Sequence, residues 1–65
     1  MLTLKTIGAK ARKYRLEKNF TVKELSKSLG YTINTIYKFE RGELNNSLIL
    51  AEYIKRGLTL WRDLP

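Results

Sequence analysis

The chain has 65 residues, 13 Lys+Arg against 6 Asp+Glu, a formal net charge of +7, and neither Cys nor His. So short a chain hides only about 60% of the surface its unfolded form exposes, which predicts one domain over residues 1–65 with a small core and no disulfide or Cys/His metal staple. Without His and Cys the usual general base and nucleophile are gone, so the chain reads as a non-enzyme that needs no cofactor.

Apolar residues recur every three or four positions between Gly30, Gly42 and Gly57, which predicts an all-α chain. The first helix is expected over residues 5–18, with Leu4, Ile7, Ala11 and Tyr14 on one face and its start open between Thr3 and Gly8. Thr21-Val22-Lys23-Glu24 has the form of a capping box, in which hydroxyl and carboxylate satisfy each other's free N–H groups, and opens a second helix ending near Leu29. Gly30 suits the left-handed turn that stops it, and Thr32 caps a third helix over 33–41 that Gly42 ends. A fourth follows Asn45-Asn46-Ser47 and stops before Gly57; Thr59 caps a last turn through Trp61 and Leu64. No apolar run approaches the ~20 residues of a membrane span, and Met1-Leu2-Thr3-Leu4-Lys5 does not read as a signal peptide, so the expected location is cytoplasmic.

Charge is unevenly spread. Up to Arg41 ten basic residues face three acids, whereas from Gly42 onward Lys55, Arg56 and Arg62 cancel Glu43, Glu52 and Asp63. A one-sided positive field attracts polyanions, with nucleic acid, an anionic membrane surface or a merely soluble basic surface as the three readings.

The second and third helices are short and separated by only about three residues, with small Ser26 where they would touch most closely. Helices so joined cross steeply, and the second projects as a rod that fits the roughly 12 Å major groove of B-DNA. Ile7-Gly8, Arg12-x-x-Arg15, Phe20-Thr21-x-x-Glu24-Leu25-Ser26, Leu29-Gly30-Tyr31-Thr32 and Thr35-Ile36-x-x-Phe39-Glu40-Arg41-Gly42 together resemble the Cro and phage-repressor (XRE-like) family of helix-turn-helix DNA-binding proteins, with the helix-turn-helix at about 22–41. The resemblance implies a compact five-helix, lambda-repressor-like domain, DNA binding in the cytoplasm and a homodimer.

On the third helix Ile36 and Phe39 point to the core, while Asn34, Tyr37, Lys38 and Arg41 share the opposite face with Ile33 at its edge, and Thr35 is a further candidate contact. Asn matches adenine in a bidentate way, Lys reaches guanine or a phosphate, and Ile33 suits a thymine methyl. Thr32 and Arg41, at the two ends, are placed for phosphates; capping alone accounts equally for Thr32, and an ordinary solvated face is the plain alternative for the rest. Where the family typically carries Gln to grip phosphate, this chain has Val22, leaving Thr21, Lys23 and the N–H groups of the second helix for that role. Acidic Glu43 and Asn45-Asn46 also depart from the basic residues common in the following loop, although Asn45 and Asn46 remain candidate contacts.

Arg15 lies four residues after Ala11 and Glu40 four after Ile36, so both extend core-facing stripes. A lone buried charge is costly, so the two are expected to form a structural ion pair that fixes the first helix against the third, with two side chains snorkelling to water as the alternative. In the last third, Leu48, Tyr53, Leu58, Leu60, Trp61 and Leu64 serve either as a homodimer contact within 47–64 or as core closure. The combined reading is a sequence-specific regulator of transcription that binds a palindromic double-stranded operator, a Cro-type repressor acting by occlusion, with no membrane partner and no small-molecule effector. The alternative is a protein-interaction module of the same shape, an antirepressor, antitoxin or polymerase-binding protein.

Overall fold

The computed structural model describes residues 3–60, which form four α-helices: α1 (Leu4–Glu17), α2 (Val22–Leu29), α3 (Ile33–Glu40) and α4 (Ser47–Lys55). Each begins at a short polar side chain that takes up free backbone N–H groups. Thr3, Thr21 and Thr32 each accept from the N–H three residues on, and Asn46 Oδ1 accepts from both Leu48 and Ile49. Thr3 therefore settles where α1 starts, and the helix runs straight through Gly8. The last helical turn expected from Thr59 through Trp61 and Leu64 falls on residues outside those described.

One core joins the four helices: Ala11 from α1, Val22 and Leu25 from α2, Ile36 and Phe39 from α3, Ile49 and Tyr53 from α4, closed by Leu58 and Leu60. Around it Ile7, Tyr14, Phe20, Leu29, Tyr31, Leu44 and Leu50 are half-buried. Leu4 begins the expected stripe of α1 yet is 42% exposed and does not join the core. The Tyr53 ring stacks on Phe39 at 5.8 Å between centroids and meets Phe20 at 6.0 Å.

Three of the surface candidates in the last third are core residues. Tyr53 is wholly buried, and Leu58 and Leu60 are 5% and 6% exposed, so none is available to a second chain. The reason is size: with so few apolar residues, the chain must use its C-terminal leucines and its α4 tyrosine to close its own interior. Leu48 is the exception at 62% exposure, and it shares the outer side of α4 with exposed Ala51 and Ile54. Trp61 and Leu64 lie outside the described residues.

Gly8 explains how α1 positions α3. A Cβ placed there would lie 2.5 Å from the carbonyl oxygens of both Phe39 and Glu40, so only glycine lets the two helices approach so closely. Helix α1 thus rests directly on the last turn of α3.

Candidate functional site

The α2–turn–α3 unit is fixed by its turn. Gly30 caps α2 in the left-handed conformation at φ 78°, its N–H bonding the Ser26 carbonyl at 2.8 Å. The Ser26 hydroxyl donates to the Tyr31 carbonyl, so the small residue anticipated at the crossing also ties α2 to the connection. Val22 is buried at 3% exposure, so this position, where the resemblance implies a phosphate-gripping Gln, belongs to the core here.

Helix α3 presents a polar face. Asn34 and Lys38 are exposed, Ile33 and Tyr37 are each 43% exposed, while Ile36 and Phe39 fill the core. At the start of α3 the Thr32 hydroxyl accepts the Thr35 N–H at 3.2 Å, and the two hydroxyls lie 2.8 Å apart. Thr35 is half-buried and engaged with the cap, so its hydroxyl is less open than the sequence implies. Thr21 and Lys23 are exposed at the start of α2, with Thr21 Oγ holding the Glu24 N–H at 3.1 Å. Asn45 is exposed before α4, whereas Asn46 is half-buried with its oxygen committed to capping, which leaves its amide nitrogen for any other partner.

Beneath the far end of α3 lies a buried polar network. Arg15 Nε donates to Glu40 Oε2 at 2.7 Å and Nη2 to Oε1 at 3.2 Å, a two-point pair between α1 and α3. The Tyr53 hydroxyl, from α4, donates to the same carboxylate. Glu40 is 4% exposed and Arg15 9%, so the pair sits away from water with its acceptor well supplied. The bond to Glu40 raises the Arg15 pKa, and burial followed by the bond to Glu40 pushes that of the Tyr53 hydroxyl far above the ordinary tyrosine value. Three helices are thereby pinned to one carboxylate, which fixes the angle at which α3 is presented. Tyr53's part in this network was missed in the sequence, where an aromatic residue on α4 looked equally suited to an interface.

The end of α3 carries a second ion pair of different character. Arg41 Nε donates to Glu43 Oε2 at 2.8 Å and Nη2 to Oε1 at 3.4 Å, with both side chains about half exposed. The pair lowers the Glu43 pKa and raises that of Arg41, chiefly through the hydrogen bonds themselves. Arg41 therefore does not extend alone from the helix end.

Among the described residues no helix is long and apolar enough to cross a membrane. The family model described as helix-turn-helix matches residues 12–60, well over half of the chain. Neither the curated proteins nor the solved structures searched gave a match.

Proposed function

Because the chain belongs to the Cro/XRE-like helix-turn-helix family of DNA-binding regulators, we propose that it is a sequence-specific repressor of the Cro type, from a phage or other mobile element, acting in the cytoplasm by occluding a promoter. The observation that carries this reading is the solvent-facing polar side of α3, held at a fixed angle by the buried Arg15–Glu40–Tyr53 network.

In this reading α3 lies in the major groove. Asn34 reads an adenine, Lys38 a guanine or a nearby phosphate, and Ile33 a thymine methyl, with Tyr37 and Thr35 lining the same contact. Thr21, Lys23, the N-terminus of α2, Thr32 and Arg41 contact phosphates, as do Asn45 and the amide nitrogen of Asn46, and they set register without reading sequence. Two copies bind half-sites one helical turn, about 34 Å, apart, so that the operator is palindromic. Leu48, with Ala51 and Ile54 on the exposed side of α4, supplies the apolar surface for the contact between copies. Blocking polymerase needs no chemistry from the chain and no small-molecule effector.

Selection of duplexes from a random pool tests the proposal. A two-fold symmetric site should be enriched, its half-sites centred about 10 base pairs apart. Recovery of unselected sequence would contradict it.

A further inference from the structure

The Arg41–Glu43 pair has a geometry that its sequence spacing alone would not produce. Gly42 adopts φ +79°, its N–H bonds the Phe39 carbonyl at 3.0 Å, and the N–H of Glu43 reaches back to the Lys38 carbonyl at 2.9 Å. This is the full left-handed helix stop, with both returning bonds made, so the backbone of Glu43 is fixed over the last turn of α3. A Cβ on residue 42 would lie 2.6 Å from the Cα of Lys5, so α1 closes on the turn from the other side. The residue after such a glycine ordinarily packs an apolar side chain against the helix. Here that position holds a carboxylate, turned onto Arg41 and within the influence of the Lys38 charge, which helps keep it ionised.

A carboxylate set edge-on to a guanidinium, two oxygens against two nitrogens, offers the same partner that a DNA phosphate would. The pair is about half exposed on both sides, so it adds little to the stability of the fold, and its placement at the end of α3 calls for another explanation. Resting on the reading of α3 as the DNA-contacting helix, we propose that Glu43 is an internal stand-in for a backbone phosphate: it holds the edge of Arg41 that would otherwise grip DNA and so limits the backbone affinity of the C-terminal end of α3. Backbone grip then falls mainly on the N-terminal ends of α2 and α3, while base reading by Asn34 and Lys38 is left in place.

The test is a two-residue cycle on the full chain, with a duplex of random sequence as the probe and fluorescence anisotropy as the readout. Glu43→Gln keeps the shape and removes the charge. It should tighten binding roughly fivefold to tenfold at about 0.1 M salt and steepen the log–log salt dependence by about 0.9, the signature of one more neutralised phosphate. Arg41→Ala should weaken binding, because it removes a cation and leaves the Glu43 carboxylate unpaired, and Glu43→Gln in the Arg41→Ala background should gain less than it does beside Arg41. Equal binding by wild type and Glu43→Gln overturns the inference. So does a gain that survives in full without Arg41, because it would report only a change in net charge. Wild-type protein that binds no duplex overturns the reading of α3 as well, whereas binding that ignores Glu43→Gln overturns this inference alone.

Discussion

Glu40 and Arg41 are neighbours in the chain, yet each makes a two-point ion pair in an opposite setting. Glu40 is 4% exposed and joins Arg15 and Tyr53 across three helices; Arg41 stands about half exposed and pairs with Glu43 two residues away. The difference teaches how far the meaning of an ion pair depends on water. In the buried network, removal of one partner strands a charge that has lost its hydration. In the exposed pair, water and salt compete with the partner at all times, so the bond is easily exchanged for another anion. One pair holds α3 in position, and the other regulates what its end can grip.

The contrast is broken most directly at Glu40. Glu40→Ala should destabilise the protein by about 3–5 kcal/mol, because it leaves the Arg15 guanidinium without its carboxylate and the Tyr53 hydroxyl without an acceptor. Chemical denaturation would measure this, and a loss of less than about 1 kcal/mol would mean that the network is dispensable.

Tyr53→Phe should cost less, about 1–3 kcal/mol, since the ring still stacks on Phe39 while Glu40 loses one donor. It also carries a pH signature. Burial and the bond to Glu40 raise the Tyr53 pKa above its unfolded value of about 10, so the associated stability is complete below that pH and declines as pH rises beyond it, where only the unfolded form ionises readily. Denaturation between about pH 9 and 11 should show a steeper alkaline loss in wild type than in Tyr53→Phe. Parallel alkaline limbs would refute the assignment.

At the small end, Glu43→Gln should leave the melting temperature unchanged while it alters DNA binding. A marked drop in melting temperature would show that the exposed pair is structural after all, and would erase the contrast with Glu40.

Much of the frame was legible because it is written locally. Thr21, Gly30, Thr32 and Gly42 mark helix ends through their own backbone chemistry, and the structure places the boundaries of α2 at the expected residues. The Arg15–Glu40 pair was foreshadowed by helical periodicity, since each charge continues an apolar stripe. What the sequence hid is tertiary. Tyr53 reaches Glu40 from 13 residues away, and nothing in the local pattern of α4 separates a core aromatic from an interface one. The partnership of Arg41 with Glu43 was hidden for a geometric reason: residues two apart do not face each other on a helix, and only the left-handed turn at Gly42 brings them together. Val22 was visible as a departure from its family, but its burial emerged only from packing.

In the proposed function the exposed face of α3 reads base pairs while its buried side sets the angle. The most direct measurement compares wild type and Asn34→Ala on the selected site and on a scrambled duplex across a range of salt. Wild type should prefer the selected site, with affinity falling at a log–log slope of about −0.9 per phosphate contacted; Asn34→Ala should lose about 1–3 kcal/mol of that preference at an unchanged slope. Full preference retained by Asn34→Ala, or wild-type binding that ignores both sequence and salt, would contradict it.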